Sequence, residues 1–419
     1  MKNINKIAAG VLILALALGL FFNRERITRL MKVNSLFNEE KIVYNFSHMI
    51  DVLPATRLPR SGPVHQWPVT LQPINETYTS LNGKSVAVTD MLEELQTTAL
   101  VVVKDGNIVF EDYYQGTGPD DLRISWSMSK SFVSALTGLA LESGQISSID
   151  DPVTPYVPML RRSAYNKATL RNVLNMASGV DFNEDYLDFY SDINKMGRVL
   201  ALGGSLDKFA ASRTKVARPA GVKRQYVSID THVISMVLRS ATGQTLQDYF
   251  VENLWSKIGA SADAWYSTDS DGNAFALGGL NMRTRDYALF GELMRNKGRT
   301  AEGIQLIPED WVIASTAKSA PDDIYDDPFD YGYQWWLPKN SDGEFFAVGV
   351  YGQYIYINPK AGIVIAKNAA HRSFLEVDEF GTDYKSKNIA LFRSIAEHYS
   401  DWKLPTKVEA ATKTQPPAL

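Results

Sequence analysis

Strand-forming sequence occurs at two widely separated places in this chain, residues 98–114 and 344–369, and most of what lies between them reads as helix. The first, "TALVVVKDGNIVFEDYY", has two β-rich runs about Asp105-Gly106-Asn107, a hairpin signal. The second, "EFFAVGVYGQYIYINPKAGIVIAKNA", alternates about Asn358-Pro359. Between them, "TLRNVLNMASG" and "IDTHVISMVLRSATGQTLQDYFVENLW" are amphipathic and punctuated by glycine. "LNMRTRDYALFGELMRNKG" is another helix of the same kind, and "NIALFRSIAEHYSDW" closes the pattern. Joining the two β regions into one antiparallel sheet with helices on its faces is the economical solution. The expected fold class is therefore α/β (α+β), with 93–149 and 283–400 forming the sheet part and 150–282 inserted as an all-helical domain. A cleft then lies between the two parts.

The ends of the chain read differently. Lys2 and Lys6 precede sixteen uncharged, mostly apolar residues, 7–22, which is the pattern of an export signal. Ala15-Leu16-Ala17 offers a cleavage site, yet the apolar run continues to Phe22, so an uncleaved anchor is preferred. Sixteen residues fall slightly short of the ~20 that span a bilayer comfortably. Either reading places the folded part in a periplasmic or other extracytoplasmic space, with the membrane touched only by 7–22. Residues 23–92, with four prolines in "LPATRLPRSGPVHQWP", read as a wrapping arm, and 401–419 as a loose tail.

Charge and cysteine usage remove several function classes. With 43 basic and 47 acidic residues there is no broad basic field to attract nucleic acid. The absence of cysteine excludes disulfides, thiolate metal sites and a cysteine nucleophile. The histidines, His48, His65, His232, His371 and His398, have no zinc-site spacing, so a metal is not implied.

The stretch "RISWSMSKSFVSALTGLALESGQI" crowds serines around one lysine. Phe132, Val133, Leu136, Leu139 and Ala140 follow at helical spacing, and Gly144 stands where a helix C-cap would. In that helix Lys130 lies one turn from Ser127, the S-x-x-K form. A serine hydroxyl attacks well only when a neighbour takes its proton, which a lysine does once burial or nearby positive charge lowers its pKa. Unpaired N–H groups at a helix start also suit a developing oxyanion. Serines here equally suit helix capping, so Ser125, Ser127 and Ser129 stay open to both readings. The competing G-x-S-x-G signature is absent.

Two further places supply partners. "KRQYVSIDTHVISMVL" sets Tyr226 just before a helix and two residues from Ser228, and a tyrosine beside a lysine can relay protons. With 20 tyrosines in the chain, ordinary packing is the alternative. In "AVGVYGQYIYI", Gly349 and Gly352 suggest close backbone approach by a ligand, or a β-bulge.

Taken in order, "SWSMSKSFVSALTGLALESGQI", "ATLRNVLNMASGVDFNEDY", "YVSIDTHVISMVLRSATG", "GGLNMRTRDYALFGELMRNKG", "YGYQWW" and "GVYGQYIYINP" resemble one family. It is the serine β-lactamase and penicillin-binding-protein superfamily, in its class C-like and 6-aminohexanoate-dimer hydrolase branch. The resemblance implies a β-lactamase/transpeptidase-like fold and an acyl-enzyme on Ser127, with Lys130 as its activating partner and Tyr226 completing the relay. It also implies an oxyanion held by the backbone N–H groups of Ser127 and Gln353, and no cofactor. Two departures stand out. The family's Tyr-x-Asn reads Tyr226-Val227-Ser228, and its Lys-Thr-Gly reads Val350-Tyr351-Gly352. Both argue against penicillin hydrolysis. Tyr351, with Trp335, Trp336 and Tyr186, suggests an aromatic wall for an apolar acyl or short amide chain, core packing being the alternative. The expectation is an exported serine hydrolase acting on a small-molecule amide or ester. A β-lactamase or D-alanyl-D-alanine carboxypeptidase, and a catalytically silent envelope binding protein, are the alternatives.

Overall fold

The structure, a computed structural model, describes Phe21 and residues 24–325 and 327–404. Apart from Phe21, the apolar segment 7–22 lies outside the described residues, as does the tail beyond 404. Among the described residues no helix is long and apolar enough to cross a membrane.

The strands are β1 (Ala55–Leu58), β2 (Thr77–Thr79), β3 (Ser85–Ala87), β4 (Thr97–Lys104), β5 (Asn107–Tyr113), β6 (Arg123–Ile124), β7 (Ala264–Ser267) and β8 (Leu280–Met282). They continue with β9 (Phe329–Tyr331), β10 (Trp336–Pro338), β11 (Phe345–Gly349), β12 (Gln353–Asn358) and β13 (Ile363–Ala369). The helices that bear on the site are α1 (Arg24–Asn34), α2 (Ile42–Ser47), α3 (Ser129–Glu142), α4 (Ser228–Thr242), α5 (Thr284–Arg295) and α6 (Tyr384–His398).

The early hairpin and the late strands do form one antiparallel sheet, in the order β5-β4-β13-β12-β11-β10-β9. Strand periodicity explains how it is buried on both faces. Val101 and Val103 of β4, Val364 and Ala366 of β13, and Ile355 and Ile357 of β12 enter one core. Their neighbours Leu100, Val102, Ile363, Ile365, Tyr354 and Tyr356 enter another. The first core is shared with α3, α4 and α5, the second with α6. At roughly 1.5–3 kcal/mol for each fully buried large apolar side chain, this double cover is the main favourable term. The β4–β5 turn uses Asp105 and Gly106, both at positive φ (45° and 81°), as a tight hairpin requires.

Between residues 150 and 282 the chain is mainly helical, but it ends in two short strands, β7 and β8. They belong to a second antiparallel sheet, β1-β7-β8-β6, whose β1 comes from the arm. Three- and four-residue strands are too short to show a period, and β1 finds its partner only in the distant β7. The arm also carries α1 and α2. A third apolar cluster, including Leu36, Ile42, Phe46 and Met49, joins it to Ile124 and Ala370.

Candidate active site

Strand β6 pairs with β8 and runs directly into a single turn of 3-10 helix, Trp126–Met128, which α3 continues. Ser127 is the middle residue of that turn. Trp126 has a φ of 42°, a conformation costly for a bulky residue and seen mostly where surroundings enforce it. Strand β11 is part of that enforcement: a Cβ on Gly349 would collide with Ser125 O and stand 3.0 Å from Ser127 N. Only glycine lets the strand lie so close to the serine backbone.

The crowded serines separate into roles. Lys130 Nζ donates to Ser127 Oγ at 2.8 Å, to Leu277 O at 3.1 Å and to Ser228 Oγ at 3.3 Å. The other serines serve packing. Ser129 Oγ bonds Tyr266 and Ala276 O, Ser125 Oγ donates to Trp126 O, Ser131 Oγ donates to Gln334 O, and Ser134 is buried within α3. No side chain caps the start of α3.

Burial pulls Lys130 down to about 7, against the opposing pull of the Glu184 and Asp230 carboxylates. A lysine so placed can exchange a proton with Ser127 near neutrality. Tyr226 is pushed up by burial, an effect moderated by hydrogen bonds with Ser127 and Ser228. Its neutral phenol is the stable form, which leaves a hydroxyl able to donate. Lys130 Nζ lies 5.1 Å from the centre of the Tyr226 ring.

One carboxylate in the site was not singled out from the sequence. Glu184 accepts the Ser228 backbone N–H at 2.9 Å, the Ser228 hydroxyl, and the Tyr186 hydroxyl at 3.0 Å. Burial raises its pKa, offset by the Lys130 charge and these hydrogen bonds. Ser228 thereby links Lys130 to Glu184. In "DFNEDYLDFYSD" an acidic residue reads as part of a solvated loop, and only its spacing of two from Tyr186 hinted otherwise.

Ser127, Glu184, Tyr186, Tyr226, Trp336 and Gly352 all line a cavity of about 920 Å³, a size suited to a small-molecule substrate. Trp336 stacks on Tyr226, ring centres 5.5 Å apart. Two expected positions are corrected. Trp335 is fully buried and stacks on Phe290, because the outward side of β10 belongs to its neighbour Trp336. Tyr351 turns away from the cavity and packs among Phe37, Phe46, Trp126 and Phe374. The Gln353 side chain is buried, its amide donating to Tyr351 O at 3.1 Å and Ala369 O at 2.6 Å, and the residue does not line the cavity. Gly349 and Val350, four and three residues earlier on the same hairpin, do line it.

Beneath Gly352 lies a second lysine outside the expected set. Lys367 is fully buried, has Gly352 O at 3.5 Å as its acceptor, and is pulled down to about 7 by burial alone. Its folded pKa is lower than that of an unfolded lysine, so the folded state holds fewer protons between about 7 and 10.5. The resulting stability penalty appears as pH falls below about 10.5 and is complete below about 7. Lys367→Met is therefore expected to stabilise the protein by a few kcal/mol at pH 7, with the gain shrinking towards pH 10. Urea unfolding at the two pH values checks this, and an equal gain at both would exclude the buried charge as its cause.

Among the described residues no group of three or more His, Asp or Glu side chains is arranged to hold a metal ion. A serine hydrolase of the amidase or esterase type is the class that this fold and the proteins similar to it define. The chain belongs to the beta-lactamase family, whose model, described as Beta-lactamase, matches residues 87–383. It is similar to a 6-aminohexanoate-dimer hydrolase of Paenarthrobacter ureafaciens, 28% identical over 337 residues that cover 77% of this chain and 83% of that protein. Among solved structures, "Putative 6-aminohexanoate-dimer hydrolase from Bacillus anthracis" has the same fold, with a TM-score of 0.76 at 24% identity over 87% of this chain and 95% of that one. A family VIII carboxylesterase shares the fold with a TM-score of 0.55 at 14% identity over 74% and 97% of the two chains.

Proposed function

We propose that the protein hydrolyses a small amide or ester through an acyl-enzyme on Ser127. The observation that carries this is the Ser127 hydroxyl 2.8 Å from a buried lysine amine whose pKa lies near neutrality. Neutral Lys130 takes the Ser127 proton as Oγ attacks the substrate carbonyl. The oxyanion is received by the Ser127 N–H and, in place of Gln353, the N–H of Val350, the residue after Gly349 at the serine turn. The carbonyl–leaving-group bond then breaks. The departing amine or alcohol takes a proton from Tyr226, which regains one from the Lys130 ammonium. Water attacks the acyl carbon, its proton passes to Lys130, and Ser127 leaves with a proton restored.

The relative's name makes a linear amide with an apolar chain the first substrate class to test, and Tyr186, Trp336 and Phe374 give the cavity apolar wall. We place the active cleft between the sheet part, 93–149 and 283–400, and the inserted part, 150–282. The apolar pattern at 7–22 supports an extracytoplasmic, membrane-anchored location. The test is to treat the protein with a fluorophosphonate probe and map the adduct by mass spectrometry, alongside turnover of p-nitrophenyl esters, aminohexanoate oligomers and nitrocefin. An adduct on Ser127, with ester or oligomer turnover exceeding that of nitrocefin, is expected. An unlabelled Ser127 with no turnover sinks the proposal.

A further inference from the structure

Two bulky aromatic residues in this site have positive φ, Trp126 at 42° and Tyr351 at 62°. One directly precedes Ser127 and the other directly follows Val350, so each shares a peptide with a residue assigned to the reaction. A residue in this conformation stays there only while its side chain or backbone is held, since the ordinary regions are open to it otherwise. Rotation of the peptide on either side would turn an N–H or the hydroxyl away from the reacting carbonyl.

The rings of both residues are held by the arm. Phe46 of α2 meets the Trp126 ring at 5.6 Å and the Tyr351 ring at 5.3 Å, both edge to face. Phe37, in the loop between α1 and α2, stacks on Tyr351 at 4.9 Å and lies 6.0 Å from Trp126. The ring contacts continue from Tyr351 to Phe374 at 4.6 Å and from there to Tyr186, which bonds Glu184. Polar links pin the same segment at two points. Arg123 Nη1 donates to Ser47 Oγ at 2.8 Å, and Arg372 pairs with Glu39 at 2.9 Å. The family match begins only at residue 87, so all of these arm contacts come from outside it.

We infer that the N-terminal arm is a working part of the active site, with Phe37 and Phe46 as positioning residues that hold Trp126 and Tyr351, and through them Ser127 and the Val350 N–H. Neither phenylalanine lines the cavity. The inference rests on the acyl-enzyme reading above, and its test separates the two. In the full chain, Phe37→Ala with Phe46→Ala is expected to lower kcat for a p-nitrophenyl ester, and the rate of fluorophosphonate labelling, by about 10- to 100-fold with KM within about threefold. Phe46→Leu, which refills part of the space, should recover much of the loss. Tyr44→Ala, on the exposed side of the same helix, should leave both rates unchanged. Phe37 is 38% exposed, so Phe37→Ala alone keeps the fold and is expected to show the same effect in part. Folded variants with wild-type kcat, or a loss confined to KM, would overturn the positioning role even while Ser127 still labels. If wild-type Ser127 does not label at all, the acyl-enzyme reading fails instead.

Discussion

Ser127→Ala and Lys130→Met are each expected to lower kcat/KM for a p-nitrophenyl ester by roughly 10⁴-fold or more, and the double variant by little beyond either alone. In the proposed mechanism the two residues act as one unit: without the hydroxyl there is no acyl-enzyme, and without the amine the hydroxyl keeps its proton. Lys130→Met has a second signature. The amine accepts a proton only when neutral, so wild-type kcat/KM should rise with pH through about 7, the value to which burial brings Lys130. That limb should vanish with the amine. Steady-state rates between pH 5 and 9 decide the matter: a Lys130→Met enzyme with a tenth of wild-type turnover, or with the same acidic limb, would remove Lys130 from the mechanism.

Gly349→Ala is expected to cost about 10²- to 10³-fold in kcat, the scale of losing one oxyanion donor. The added methyl has no flexible neighbour to push aside. It meets the backbone of Ser125 and Ser127, so strand or serine turn must shift and Val350 N–H moves off its target. Gly352→Ala provides the contrast. Its Cβ would face Ala369 and Lys367, away from the serine, and its φ of 87° disfavours any side chain. That variant should lose stability first, seen in thermal unfolding, and activity less. Greater kcat loss at Gly352 than at Gly349 would return the second donor to the Gln353 end of the hairpin.

This pair of glycines shows where the sequence stopped being informative. Both fit a close-approach reading equally, and only the hairpin's path distinguishes them. The sheet was easier to read because β4, β12 and β13 alternate between two buried faces, leaving long strand-like runs. Ser127 and Lys130 were legible for a similar reason, since helical spacing alone places them together. Glu184 and Lys367 were not, because a charged residue in a loop or near a strand end ordinarily points to water, and their burial follows from tertiary packing. Adjacent aromatics gave half an answer: strand alternation had to send one of Trp335 and Trp336 inward, but which one depended on register. Tyr351 was misread because its partners, Phe37 and Phe46, lie in an arm whose pattern carries no period.

The order of the large sheet also bears on how the chain folds. Strand β4 ends at Lys104, yet its neighbour β13 begins only at Ile363, and the helices that cover their shared face come between them. Loop closure over so long a stretch is slow, and contacts of this kind form late. Ser127 and Lys130 are synthesised early and meet locally, but Gly349, Val350 and the Trp336 wall reach them only when the C-terminal strands join the sheet. On the proposed mechanism a nascent or interrupted chain thus carries its serine and lysine without an oxyanion pocket, and catalytic competence arrives with the last third of the polypeptide.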